Sequence, residues 1–527
     1  MYKAFSSFVA LSLISCLSLK AQTAAPVIDV QHYSFAIRIN DDNDVIKGEA
    51  IVKVKFLKDA GSFQLDLVKK NSKGKGMLVS AIKEGGKAVA FMQDSDAVTI
   101  STKVKSNSLH SYTITYSGIP ADGLIISTNK YGHRTFFGDN WPNRAHNWLP
   151  CVDLPGDKAP VDFIVTAPDH YGVIANGLKT EEKALPNHLK LTRWAETAQL
   201  PTKVMVIGVA DFAIDHPGDV GSVPVYTYVF PENKEAGFKN YAVATEILPF
   251  YIKNVGSFAY KKLANVQSKT IFGGMENAGA IFYFENSVNS PGIEELMAHE
   301  IAHQWFGDAA SERNFGHVWL SEGFATYMTN LYLENKYGAD TLKKRLVGDR
   351  KMVFNFEKTR HTAVVDTAVK SNYMQLLNAN SYQKGGWVLH MLRRKLGDSA
   401  FWTGIKKYYA KYNGGNAYTS GLQTIMEQAS GQDLKQFFHQ WIYTPGHPHL
   451  GITYKYEAEN QTVTFQIEQK QDMLYEMPLQ IALGDELKTI NIKDKSTSII
   501  FKIKERPYTV TIDPNVNLLA DFEIVKQ

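Results

Sequence analysis

Between residues 33 and 212 the chain alternates apolar and polar positions in short runs, separated by turn-forming Gly, Asp, Asn and Lys. Period-two alternation predicts strands buried on one face, and the runs at 33–40, 45–57, 62–68, 97–103, 111–118, 160–168, 188–196 and 204–212 fit it. Many short strands at this spacing predict a sandwich or an open sheet. The Lys-rich stretch 69–87 reads as a solvated loop and hairpin face. From about residue 215 the pattern lengthens to a helical period at 234–255, 292–306, 321–337, 382–396, 400–412 and 419–430, with one strand at 278–284. Gly307, Gly338 and Gly397 stand where helix C-caps fall. Alternation returns at 452–457, 462–468, 477–483, 487–493, 497–504 and 508–513, which predicts a second, small β-sandwich beyond the boundary Pro445-Gly446-His447-Pro448. The expected class is therefore α+β and multidomain: an N-terminal β domain over 23–213, a mostly helical domain over 214–448 and a C-terminal β-sandwich over 449–527.

The first segment, 1–22, stands outside this scheme. It has one early Lys3, then an apolar run over 4–19, then small residues at Ala21, Thr23, Ala24 and Ala25. That is the layout of a secretory signal peptide. Leu13-Ile14-Ser15-Cys16 also resembles a bacterial lipoprotein cleavage box, with Cys16 as the lipidated residue. No later stretch reaches 18 apolar residues, so no transmembrane span is expected in the mature chain. The expectation is an exported protein, periplasmic or secreted, free or anchored through Cys16.

Composition narrows the function. At 527 residues and 44% apolar, the chain has material for several cores, which excludes general disorder. The formal charge is +4, and removing 1–22 takes away Lys3 and Lys20 and no acid, leaving about +2. Such a balance carries no electrostatic footprint for nucleic acid. The two cysteines, Cys16 and Cys151, supply neither a disulfide framework nor a zinc–thiolate cluster.

The chemistry lies in the helical middle. In His299-Glu300-Ile301-Ala302-His303 the two histidines are four apart, so on a helix both imidazoles project to one point. Tetrahedral zinc suits that arrangement, with Glu300 beside it as a base. Glu322 follows His303 after 18 intervening residues, at the start of the next helical segment, where its carboxylate completes a His₂Glu set with one position open to water. Gly273-Gly274-Met275-Glu276-Asn277 precedes a strand; taken alone it is a hairpin turn or a place where backbone approaches an extended ligand. Tyr382, opening a helix in Ser381-Tyr382-Gln383-Lys384-Gly385-Gly386, taken alone is a packing residue.

In this order, GGMEN, HEIAH, the Glu of Trp319-Leu320-Ser321-Glu322-Gly323-Phe324-Ala325, and Tyr-x-Lys-Gly together resemble the aminopeptidase N family of zinc metallopeptidases, or gluzincins. The GGMEN spelling is that of the leukotriene-hydrolase branch. Leu149–Pro155, Ala175-Asn176-Gly177, Gln440-Trp441 and Pro445-Gly446 resemble the flanks of the same family, so the likeness covers nearly all of the mature chain. It implies a saddle-like N-terminal β domain and a thermolysin-like catalytic domain. It implies one Zn²⁺ on His299, His303 and Glu322, with Glu300 as general base and Tyr382 holding the oxyanion. Glu276 would bind the free α-ammonium of a peptide substrate, and the backbone of Gly273, Gly274, Met275, Glu276 and Asn277 would pair with it as an added strand. The implied activity is removal of the N-terminal residue from peptides.

The chain departs from that pattern in four places. The N-domain Gln or Glu that usually meets the substrate amine is missing from Gly138-Asp139-Asn140-Trp141-Pro142; Asp139 or Asn140 substitutes, or Trp141 reshapes the first pocket. Ser321 replaces the usual Asn, and Thr329 an acidic residue that orients zinc ligands. The family's long C-terminal helical domain is not matched, which predicts a more open cleft. Two other functions are compatible with the same motifs: a thermolysin-type endopeptidase that accepts blocked chains, and a catalytically inactive peptide-binding scaffold.

Overall fold

A computed structural model describes residues 26–503 and 505–527. The expected signal peptide over 1–22, with Cys16, lies outside the described residues.

The N-terminal region is built on an eight-stranded sheet. Its centre pairs Ile28–Arg38 in parallel with Lys158–Pro168 and antiparallel with Ile46–Phe56. Along Ile46–Phe56 the buried residues Ile46, Ala50, Val52, Val54 and Phe56 alternate with outward side chains, all polar but Ile51, as the sequence period requires. Sheets of four and three strands complete the domain. The stretch 69–87 holds the start of a hairpin, as expected, but is not all solvated. Gly76–Glu84 pairs with Leu109–Ile119 and buries Met77, Val79 and Ile82. A bulge between Val79 and Ala81 breaks the two-residue period there, which is why alternation did not disclose the strand.

The middle region does not begin with helices either. Ala213–Val220, Val223–Val229, Leu263–Ser268, Ala280–Phe284 and Gly274–Met275 form a five-stranded sheet in that spatial order. Leu263–Ser268 is buried at all six positions and parallel to both neighbours, so it shows no alternation. Helices α1 (Lys234–Tyr241), α2 (Ala244–Asn254), α3 (Ile293–His303), α4 (Trp319–Tyr337), α5 (Ala339–Glu357) and α6 (Gly385–Leu396) pack with this sheet into one core. The sequence pattern did not disclose α5, because within it only Leu342, Leu346 and Val353 are buried. The C-terminal region is the expected small sandwich, of four and three strands, with a last strand at Asp521–Lys526 that alternation had not shown. Among the described residues no helix is long and apolar enough to cross a membrane.

Buried lysines link the N-terminal β region to the middle region. Lys158 donates to the carbonyls of Asp308 and Ala309, both at 2.9 Å, and Lys262 donates to those of Ala175 and Gly279 at 2.9 and 3.0 Å. Lys203 pairs with Glu312 at 2.7 Å, both fully buried. An isolated buried charge is costly, so each lysine is held where its partners are.

Candidate metal and peptide site

Three side chains converge at the crossing of α3 and α4. His299 Nε2 and His303 Nε2 are 3.1 Å apart and lie 3.5 and 3.2 Å from Glu322 Oε2. Ligands about 2.0–2.1 Å from a tetrahedral zinc sit about 3.3 Å from one another, so this triangle has the right edge length. Nδ1 of His303 is 3.0 Å from the carbonyl of Phe306. A carbonyl only accepts, so Nδ1 donates to it, and Nε2 is the nitrogen turned to the shared point. Ser321, where the sequence departs from the family pattern, stands 3.1 Å from the same nitrogen. Gly307 makes room for it, because a Cβ there would clash with the Ser321 hydroxyl, and its φ of +120° is one a side chain resists. Thr329 instead donates back to the Ala325 carbonyl at 2.8 Å. The two imidazoles and one carboxylate fit a zinc ion in chemistry and in spacing.

A cavity of about 260 Å³ opens beside the triangle. Glu300 lines it, and burial pushes its acid well above the usual carboxylate range, with Glu276 and Glu322 adding to the effect. Its carboxylate packs onto Gly274. Gly273, Gly274, Met275 and Glu276 form another wall. Gly274–Met275 is an edge strand, paired on one side with Tyr283 and Phe282. Glu276 is buried, and its Oε1 has no hydrogen-bond partner among the described residues. The segment is tied down by Gln304, a residue the sequence reading did not single out. Its amide donates 2.6 Å to the Glu276 carbonyl, and its oxygen accepts from Gly279 N at 2.7 Å. Gln304 lies one residue past the second histidine, at the C-cap of α3, so one helix and its cap supply both histidines of the triangle and the clamp on the strand.

Tyr382 does not open a regular helix; it sits in a π-helical turn, Asn380–Lys384, that leads into α6. Its ring lies parallel to that of His299, with centroids 6.0 Å apart. Burial, with the carboxylates of Glu322, Glu276 and Glu300, holds its phenol well above the usual pKa, so the hydroxyl keeps its proton.

Two expected substrate contacts are placed elsewhere. Asp139 is fully buried and off the cavity wall. One of its oxygens accepts from Arg144, and the other from the Thr270 hydroxyl at 3.0 Å and Ile271 N at 2.9 Å. With both oxygens engaged, Asp139 ties down Thr270 and Ile271 on the approach to the 273–276 wall. Asn277 is also fully buried and off the wall, where the chain turns and Ala280 N donates to its carbonyl at 2.9 Å. Asn140 is occupied by the Thr202 and Met205 carbonyls and by the Trp148 indole. Trp141 is the residue of that stretch that lines the cavity, edge-on to Phe272 with centroids 6.2 Å apart.

Comparison with known proteins bears on the family and the fold. Residues 29–204 match the model of the peptidase M1 N-terminal domain, and residues 241–441 match that of the peptidase family M1 domain. A probable aminopeptidase 1 of Sulfurisphaera tokodaii is 23% identical over 90% of this chain and 61% of its own length. A leucyl aminopeptidase of Saccharolobus solfataricus is 23% identical over 92% and 63% respectively. The chain thus spans about three fifths of the length of these curated relatives. The fold matches a crystal structure of Legionella pneumophila aminopeptidase A in complex with aspartic acid, with a TM-score of 0.82 at 16% identity, over 95% of this chain and 60% of that one. With both of the family's domain models matched in order over most of its length, this chain belongs to peptidase family M1.

Proposed function

We propose that the protein is a zinc-dependent aminopeptidase that hydrolyses the first peptide bond of peptides with a free N-terminus. The observation that carries this reading is the buried Glu276 carboxylate, which lines the cavity beside the His299–His303–Glu322 triangle and has one oxygen without a hydrogen-bond partner among the described residues. A buried carboxylate oxygen without a partner is costly unless a ligand donor completes it, and a substrate α-ammonium is such a donor. The names of the relatives, aminopeptidases, point the same way.

Zinc held by His299, His303 and Glu322 would supply a Lewis acid that polarises a carbonyl and acidifies water. The chain's own groups do the rest. Glu300, whose affinity for a proton is raised by burial, accepts the proton from the attacking water and returns it to the leaving amine. The Tyr382 hydroxyl donates to the oxygen that gains charge as the carbonyl becomes tetrahedral, a contribution of about 3–4 kcal/mol in comparable sites. The free edge of Gly274–Met275 pairs with the substrate backbone, and Glu276 fixes the amine one residue from the scissile bond. An anchored amine makes an exopeptidase.

The test is paired turnover of aminoacyl-arylamides and an internally quenched peptide, each with free and acetylated N-termini, on protein of measured zinc content. Cleavage confined to free amines, lost to a chelator and restored by zinc, is the expected result, and Glu300→Gln should keep the zinc and lose nearly all turnover. Equal cleavage of acetylated peptides would replace the reading with an endopeptidase. Bound zinc without turnover would leave a peptide-binding scaffold. Export rests on the sequence of 1–22, and N-terminal sequencing of the mature protein tests it.

A further inference from the structure

We infer that Lys384, paired with Glu357, positions the Tyr382 hydroxyl, so that the junction with the C-terminal sandwich is part of the active-site frame. The inference rests on the reading above, in which Tyr382 serves the oxyanion.

A π-helical turn carries one more residue per hydrogen-bonded ring than an α-helix and is rare, so contacts from outside bear on where its side chains sit. The turn at Asn380–Lys384 has them on three sides. The Asn380 amide donates to the Thr362 carbonyl at 2.7 Å, and the Ser381 hydroxyl to that of Leu376 at 2.6 Å. Lys384 closes the turn two residues after Tyr382, and its side chain has no exposed surface. Its ammonium lies 2.7 Å from Glu357 Oε1 and 2.7 Å from the Gly446 carbonyl.

Those partners belong to other elements. Glu357 is the last residue of α5, and its second oxygen meets His447 Nδ1. His447 lies flat on Phe354 of α5, with ring centroids 3.9 Å apart. Gly446, whose carbonyl accepts from Lys384, has a φ of +87°, a conformation that a side chain resists. Gly446 and His447 lead directly into the strand His449–Glu457, the first of the C-terminal sandwich. α5 is also bound to that sandwich through Lys343 to Asn515 and Arg350 to the Leu518 carbonyl. A buried ion pair adds little stability over apolar groups of the same volume, but it fixes geometry, because each charge must stay where its partner is. What this pair fixes is the end of the turn that carries the Tyr382 ring.

The test is a double-mutant cycle with two readouts: kcat and KM on a free-amine arylamide, and the calorimetric Kd of a phosphinic dipeptide analogue whose tetrahedral oxygen reports the Tyr382 contact. Lys384→Met should lower kcat by about 10- to 100-fold with KM and zinc content unchanged, the loss expected when a catalytic group is misplaced by about 1 Å. It should weaken the analogue by a similar factor. In a Tyr382→Phe background Lys384→Met should cost nothing further on either readout, since it acts through the missing hydroxyl. Losses that add in the double variant, or a Lys384→Met enzyme with unchanged kcat and Kd, would overturn the inference. Glu357→Gln, which keeps the side-chain shape, is read in the same cycle if Lys384→Met does not fold. A wild-type protein inactive on free-amine substrates overturns the aminopeptidase reading instead, and is seen before any variant is made.

Discussion

Glu300 rests its carboxylate directly against the Cα of Gly274. A Cβ at Gly274 would fall well inside van der Waals contact with the carboxylate, whereas one at neighbouring Gly273 would meet only Leu296 Cδ1 at an ordinary 3.8 Å. Two adjacent glycines of one motif therefore have different physical reasons to be glycine. Gly274→Ala should push the base off its position and lower kcat by about 100-fold with zinc retained. Gly273→Ala should retain most of the activity. Parallel kinetics and zinc analysis of the two variants check this, and equal losses would mean that the Glu300 contact is not what constrains position 274.

Glu276→Ala should reduce kcat/KM on free-amine substrates by about 10- to 100-fold, the value of one hydrogen bond to a charged group, and leave acetylated substrates unaffected. The same variant should melt at a higher temperature than wild type, because it removes a buried carboxylate oxygen that has no partner in the free protein. Activity lost and stability gained is the signature of a binding group held ready at a cost. A variant that keeps its preference for free N-termini would exclude Glu276 as the anchor.

Asp139→Asn should behave differently. It breaks a buried pair with Arg144 and weakens the link to Thr270 and Ile271, so the protein should lose about 3 kcal/mol of stability. Turnover should fall through disturbance of the 273–276 wall, while the ratio of free-amine to acetylated cleavage stays that of wild type. A change in that ratio would return Asp139 to the substrate.

Asp157 supplies a test by pH. Burial pushes its carboxyl up to about 7 from the ordinary 3.8, and its Oδ1 has no partner among the described residues. The folded protein keeps this proton to about pH 7, whereas the unfolded chain releases it near pH 4. The stability it contributes is therefore full below about pH 4 and is lost as pH rises to 7, by a few kcal/mol in all. Asp157→Asn should match wild type at pH 4 and melt higher at pH 8. Melting curves at pH 4, 6 and 8 decide it; parallel curves would show that Asp157 is not responsible.

The departures from the sequence reading share one cause. The strand Gly76–Glu84 escaped because a bulge shifts its period, and Leu263–Ser268 because both its faces are covered. Neither fact is local. The placing of Asp139 is of the same kind, since its carboxylate is oriented by Thr270 and Ile271, more than a hundred residues away. Gln304 carried no signal of its own, because a glutamine on a helix is ordinary until the strand it clamps is seen beside it.

By itself the sequence determined what local geometry can carry. A spacing of four brings His299 and His303 to one point on any α-helix, and the order of the motifs supplied Glu322, Glu276 and Tyr382 as their companions. Alternation set most of the strands of the two sandwiches. Only the tertiary structure decided which polar groups face the cavity and which are spent within the protein. Asp139 and Glu276 are both buried carboxylates, and no period or composition separates them. One has both oxygens satisfied and the other keeps one unpartnered, because hydrogen-bond donors are delivered by whichever elements pack against a side chain.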